Sequence, residues 1–280
     1  MRCAWQSYLN LLPPAIRNEV DKYGRDTLLE LRMRVGMPPQ LILLSGSVWL
    51  DRITNSDDVS YCVNSASRYS PWSVSSIQRG YITAPGGHRI GLCGNAVMTN
   101  GEMKGVSTVS SLCIRVARDY PGCAEGTANL GNSLLIIGRP GSGKTTLLRD
   151  LIRQRSEKFS IAVVDEKGEI FPFSQSKMCF PVGKQTDVLT GVTKTQGIEV
   201  LLRNMSPQII AVDEITAQED CTALIHAGWC GVDLIATAHA SDVQELRRRE
   251  FYKPIVESGL FDTFLVMQPD KTWHAERMKQ

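Results

Sequence analysis

The run Gly138-Arg139-Pro140-Gly141-Ser142-Gly143-Lys144-Thr145 places three glycines ahead of a lysine and a hydroxyl, followed by Thr146. Gly138, Gly141 and Gly143 permit backbone conformations closed to side chains and let main-chain N–H groups approach an anion. Lys144 supplies a point charge for outer phosphates, and the Thr145 hydroxyl can hold Mg²⁺. The run is a full match to G-x-x-x-x-G-K-[ST], so the ligand implied is ATP with Mg²⁺. About 70 residues further on, Ile209–Val212 run into Asp213 and Glu214. An apolar run ending in Asp-Glu at that distance is a Walker B pattern. Asp213 would hold Mg²⁺ through its water shell, and Glu214 would polarise an attacking water.

These residues need a scaffold. Leu134 to Ile137 read as a buried strand entering the glycine loop, and Leu147, Leu148, Leu151 and Ile152 recur at helical spacing after it. The loop then meets the positive end of a helix dipole. Ile161–Val164 form a second buried strand, ending in Asp165, Glu166 and, after Gly168, Glu169. Acids at a strand's carboxyl edge orient water or metal, or cap a turn; both uses stay open. Ile198, Leu201, Leu202 and Met205 make a helical stripe before the strand Ile209–Val212. Val232 to Thr237 form a fourth strand, ending at His239, which either packs and caps or senses a γ-phosphate. Thr216 with Glu219, and Ser241 with Gln244, are spaced as capping boxes. Arg247 to Arg249 fall in a helix's last turn. Short apolar strands alternating with helices imply a mostly parallel sheet with covered faces.

The first half is patterned differently. Pro13 and Pro14 open a short helix that Gly24 stops. Leu28 to Val35 alternate apolar and charged residues, a strand with one wet face. Leu41–Leu44 and Val48–Leu50 flank a Ser45-Gly46-Ser47 hairpin turn. A helix is expected from Ser56 to Tyr69. Gly80 to Val97 are β-prone around a Pro85-Gly86-Gly87 turn, Asn100-Gly101 marks a second hairpin, and Ser111 to Arg118 alternate again. Arg89 and Arg115 interrupt apolar β-like runs, where an exposed strand face would account for them. The expected organisation is an α+β domain over 1–122, a linker over 123–131 and a phosphate-loop domain over 132–280.

Composition sets limits. The chain has 280 residues, enough for two domains, with 31 Lys+Arg against 29 Asp+Glu and a net charge of +2. A basic nucleic-acid footprint would have to be local, and no DNA partner is expected. The eight cysteines form no C-x-x-C pair and have no histidine at zinc-finger spacing; a reducing compartment is expected. The opening residues do not read as a signal peptide, and no apolar run is long enough for a membrane span.

LLRNMSPQIIAVDEI followed by IATAHAS resembles the secretion and pilus-motor ATPases of type II and type IV systems. Within that superfamily the chain is similar to the stage III sporulation AA family. ELRMRVGMP, GYITAPGGHRIGLCG, SSLCIRVAR, GKTTLLRD, VVDEKGEI and DVLTGVTKTQGIEVLLRNMSP carry the likeness. The resemblance implies an α/β fold, with a RecA-like P-loop ATPase core preceded by a smaller α+β domain. It implies a homohexamer, with ATP near the cleft between the domains. The ring would work at the cytosolic face of a membrane-embedded sporulation channel without inserting into the membrane. It makes Glu166 and Glu169 an acidic box, His239 a histidine box, and Arg203 the arginine ending the helix before Walker B. Arg89 and Arg115, with Arg118 behind them, become arginines reaching the phosphates. Two positions depart from the pattern: Gln208 follows Pro207 where secretion ATPases usually have Asp, and Asp213 stands where many have Gly. Three other readings use the same loop: a small-molecule kinase with residues 171–191 as a lid, a nucleotide-gated scaffold with little turnover, and a nucleic-acid translocase.

Overall fold

The computed structural model describes residues 1–67, 80–174 and 176–277. It divides into two compact units. Unit 1 comprises Met1–Asp119 with Pro172–Phe180, and unit 2 comprises Tyr120–Phe171 with Pro181–Gln280.

In unit 1, α1 (Trp5–Asn10), α2 (Pro14–Asp21) and α3 (Gly24–Thr27) lead into β1 (Leu28–Arg34), β2 (Gln40–Leu43) and β3 (Gly46–Trp49). Then follow α4 (Ser56–Ser67), β4 (Tyr81–Thr83), β5 (Arg89–Thr99) and β6 (Glu102–Arg115). The six strands form an antiparallel sheet in the order β3-β2-β1-β6-β5-β4. Alternation decides its faces: Leu31, Met33, Ile90, Leu92, Leu112 and Ile114 are buried, while the charged residues between them face outward. Asn100 and Gly101, at φ 52° and 80°, make the tight turn joining β5 to β6, the two-residue hairpin that an Asn-Gly pair favours. Of the helix expected to reach Tyr69, residues 68 and 69 lie outside the described residues.

Unit 2 holds β7 (Leu134–Ile137), α5 (Lys144–Arg155) and β8 (Ile161–Asp165). The chain then leaves for unit 1, where β9 (Phe173–Ser174) and β10 (Lys177–Met178) form a small hairpin. It returns as β11 (Thr186–Thr190), α6 (Lys194–Met205), β12 (Ile209–Val212), α7 (Gln218–Trp229) and β13 (Asp233–Ala238). The remaining elements are α8 (Val243–Arg248), α9 (Lys253–Glu257), β14 (Thr263–Met267) and β15 (Trp273–Arg277). The sheet order is β11-β8-β12-β13-β7-β14-β15, parallel except for the last strand. The four expected strands β7, β8, β12 and β13 are fully apolar or nearly so, as a sheet covered on both faces requires.

Several expectations need correction. The span 171–191, expected as a lid in the kinase reading, holds the β9–β10 hairpin and edge strand β11; its mixed polar sequence hides the pairing that β8 imposes. Strands β14 and β15 have no counterpart in the sequence expectations. The segment 123–131, expected as a linker, is packed into unit 2. Buried Ala124 donates its N–H to Asp150 Oδ2 at 2.8 Å, and Arg155 Nη2 reaches the carbonyls of Thr127 and Leu130 at 2.9 and 3.0 Å. Two buried charged residues on α5 therefore use that segment's main chain as partner. Both capping boxes shift by one residue. Asp220 accepts the N–H groups of Thr216 and Ala217 ahead of α7, and Asp242 with Glu245 caps α8. Among the described residues no helix is long and apolar enough to cross a membrane, and all eight cysteines are free thiols.

Helix α6 lies close over β8 because Gly197 has no side chain: an added Cβ would meet Val164 Cγ1 at 2.5 Å. Gly197→Val is expected to cost about 1–3 kcal/mol through overpacking. That corresponds to a thermal midpoint roughly 2–5 °C lower for a chain of this size; an unchanged midpoint in calorimetry would contradict the packing.

Candidate functional site

Parallel strands deliver their carboxyl ends to one edge, and in unit 2 four of them carry polar residues there. The glycine loop follows β7; Asp213 and Glu214 follow β12; His239 follows β13; Glu166 follows Asp165, the last residue of β8. Strand β13 runs between β7 and β12, so His239 stands between the loop and the two carboxylates.

The loop turns at Gly141 and Gly143, at φ 75° and 101°. Gly143 is the N-cap of α5 and offers no side-chain cap to the helix's first N–H groups. A Cβ at Gly138 would lie 2.5 Å from Ser142 Oγ and 2.7 Å from Met267 Cβ, so only glycine fits. Arg139 and Pro140 sit exposed at the crown of the loop, and Thr146 is half-buried in the first turn of α5. Ser142 Oγ is buried with no hydrogen-bond partner. Uncapped N–H groups and an orphaned hydroxyl around one turn fit an anion with several acceptor oxygens.

Lys144 is buried on α5 and folds back over the loop. Its Nζ donates to the carbonyls of Gly138 and Arg139 at 2.9 and 3.1 Å and meets His239 Nδ1 at 3.0 Å. Burial pulls its pKa below the ordinary lysine range, although Asp213 and Glu214 oppose that shift. Thr145 Oγ1 donates to Asp213 Oδ2 at 2.7 Å, while Thr237 Oγ1 donates to Asp213 Oδ1 at 2.5 Å and accepts the N–H of Glu214 at 2.8 Å. Glu214 sits at φ 52°, left-handed for a residue with a side chain. Its Oε1 pairs with His239 Nε2 at 2.8 Å and its Oε2 accepts from Lys167 Nζ at 2.6 Å. Burial raises the Glu214 carboxyl, but the hydrogen bonds from Lys167 and His239 outweigh it and hold the pKa below the usual range. With Lys144 as donor, His239 accepts at Nδ1 and donates from Nε2, which links the ammonium to the carboxylate through one imidazole.

The acids after β8 divide their work. The Asp165 carboxylate accepts the N–H groups of Glu169, Ile170 and Phe171 at 2.8, 3.0 and 2.8 Å, the turn-capping use. Burial pushes its pKa up to about 6 against those bonds. Glu166 pairs with Lys194 at 2.8 Å, and the same buried ammonium meets Asp220 at 3.3 Å. Burial alone would lower the Lys194 pKa; the two carboxylates raise it overall. The main chain of Glu169 is held in the Asp165 turn, and its carbonyl accepts from Arg149 at 2.9 Å.

Of the expected arginines Arg89, Arg115 and Arg203, one lies elsewhere in unit 2 and two belong to unit 1. Arg203 closes α6 at the opposite, amino-terminal edge of the sheet, pairs with Glu199 and is 73% exposed. It lines a groove of about 1190 Å³ between α6 and α7. Arg89 and Arg115 belong to unit 1, where they face each other across β5 and β6. Arg89 stacks on Tyr81 at 3.9 Å and Arg115 pairs with Glu30 at 3.2 Å. Arg118 holds the carbonyl of Arg25 at 2.9 Å and that of Leu28. The residues that sequence reasoning passed over are Lys167, Lys194 and Thr237. Each acts through a partner on another strand or helix, which no local pattern signals.

The donor set at the edge suits Mg²⁺: a hydroxyl and a carboxylate, both hard oxygens, from Thr145 and Asp213. Among the described residues no group of three or more His, Cys, Asp or Glu could hold a metal unaided. Water and phosphate oxygens would supply the remaining ligands.

The sequence model of the family described as Sporulation stage III, protein AA matches residues 5–275. Stage III sporulation protein AA of Bacillus subtilis (strain 168) is 33% identical over 276 residues, covering 93% of this chain and 90% of its own. Among solved structures, the Legionella pneumophila ATPase DotB is similar with a TM-score of 0.57 at 17% identity, over 94% of this chain and 79% of its own. The pilus retraction motor PilT, solved with bound ADP, has a TM-score of 0.61 at 16% identity, over 90% of this chain and 77% of its own. These likenesses bear out the expected fold, that of secretion ATPases with a RecA-like core and an N-terminal domain.

Thr237→Val keeps the shape and removes the hydroxyl that joins both carboxylate-bearing residues. It is expected to cost about 1–3 kcal/mol, since the N–H of Glu214 loses its acceptor, whereas Thr237→Ser stays near wild type. Equal denaturant midpoints for all three proteins would contradict the bridging role.

Proposed function

The chain belongs to the stage III sporulation protein AA family, and on that basis we propose that it is an ATP-hydrolysing ring motor energising a sporulation-associated, secretion-like membrane channel. The observation that carries this reading is the single hydrogen-bonded cluster formed by Lys144, Thr145, Asp213, Thr237, Glu214 and His239 at one sheet edge. Phosphoryl transfer to water needs positioned charge more than covalent chemistry. The desolvated Lys144 ammonium exchanges loop carbonyls for phosphate oxygens at little cost, because it gives up no bulk water. The main-chain N–H groups from Gly141 into α5 surround the β-phosphate. Glu214, ionised and held at both oxygens, keeps a lone pair for the attacking water. His239 joins Lys144 to Glu214, so a shift of the ammonium toward a γ-phosphate changes what Glu214 is bonded to. Mg²⁺ held by Thr145 and Asp213 would neutralise charge on the phosphates. The fold shared with the ATPase DotB and the pilus retraction motor PilT supports the motor reading, and the sporulation relative supports the process it serves.

Two variants test the chemistry. Lys144→Ala is expected to weaken nucleotide binding by about 10- to 100-fold, the worth of a charge-assisted hydrogen bond. Glu214→Gln is expected to bind normally and lose about 10²- to 10⁴-fold in phosphate release. Wild-type turnover in Lys144→Ala would reject the site. Native mass measurement with and without ATP tests the ring: a nucleotide-dependent hexamer, trapped by Glu214→Gln, is expected, and a monomer in every state would overturn it.

A further inference from the structure

Lys167 sits in a turn built to place it. Asp165 fixes the N–H groups of residues 169 to 171, the N–H of Gly168 donates to the carbonyl of Asp165 at 3.2 Å, and Gly168 adopts φ 66°. The turn brings Lys167 Nζ to 2.6 Å from Glu214 Oε2, opposite His239 Nε2 on Oε1. The two donors come from separate strand ends, one after β8 and one after β13, and neither neighbours Glu214 in sequence. The Lys167 side chain is 46% exposed, and an ion pair so open to solvent adds little to stability. What such a pair does supply is orientation: with both oxygens engaged, the plane of the carboxylate is fixed. Each oxygen still has a second lone pair, so the clamp does not consume the acceptor.

We propose that Lys167 is a positioning residue for Glu214, fixing the carboxylate plane against the water it polarises. This rests on reading Glu214 as the water-activating carboxylate. The test compares Lys167→Met, an uncharged side chain of similar length, with Lys167→Arg in the full-length protein. For Lys167→Met, kcat for ATP hydrolysis is expected to fall about 10- to 100-fold, as for misplaced catalytic groups. The Kd for a fluorescent ADP analogue should stay within about twofold, the split expected of lost transition-state positioning. Lys167→Arg should recover most of kcat. A readout independent of turnover is the His239 imidazole N–H in ¹H–¹⁵N spectra, identified by its loss in His239→Gln. It should broaden in Lys167→Met and stay sharp in Lys167→Arg. An unchanged kcat in Lys167→Met, or a loss of binding in step with kcat, overturns the proposal. A wild-type protein that binds nucleotide without turnover defeats the reading of Glu214 instead. The imidazole signal then decides alone, and a sharp one in Lys167→Met overturns the placement of Lys167.

Discussion

The polar edge of unit 2 exists because a parallel sheet gathers the carboxyl ends of its strands in one row. Six consecutive strands share that direction, and the interiors of all but the edge strand β11 are almost wholly apolar. Charged and hydroxyl-bearing residues are thereby confined to the strand ends. Once there, each finds its partner at another strand's end: Thr145 with Asp213, Thr237 with both Asp213 and Glu214, His239 with Lys144 and Glu214. The order of strands fixes the order of contacts. With β13 inserted between β7 and β12, the imidazole of His239 stands between the Lys144 ammonium and the Glu214 carboxylate.

Burial makes this arrangement exacting. A buried lysine or carboxylate without partners is costly, and the site answers by sharing. Lys144 uses two carbonyls and an imidazole, Lys194 uses two carboxylates, and Asp165 uses three main-chain N–H groups. Ser142 Oγ is the exception, buried without a partner beside the glycine loop. The unsatisfied group lies where an anion would supply its missing bond.

Much of this was legible in the sequence, unevenly so. The glycine loop, the four central strands and the Asn100-Gly101 turn declare themselves because local residue types determine them: φ angles only glycine or asparagine tolerates, and apolar runs that only a covered sheet accommodates. Strand β11 carries no apolar signal in the sequence because polar residues are tolerated at a sheet edge. The caps sit one position beyond the Thr216 and Ser241 boxes because Asp competes with Thr and Ser for the same N–H groups. The role of Asp165 could not be told from that of Glu166 by type. Depth separates them, since one carboxylate faces inward to its own turn and the other meets Lys194. Arg203 shows the limit of motif spacing, as the helix it ends points away from the loop.

The hairpin of β9 and β10 carries a consequence for how the chain can be divided. A Cβ on Gly87 would lie 3.2 Å from Cys179 and 3.3 Å from Pro172, so the Pro85-Gly86-Gly87 turn is closed over by residues that follow the strand bearing Asp165. Unit 1 is therefore not a contiguous cassette: a gene fragment ending at residue 119 omits part of its own wall. Recombination or modular swapping at that junction would exchange an incomplete module. Any lineage that shuffled these halves would have had to carry the inserted ribbon with the first or rebuild the turn beneath it.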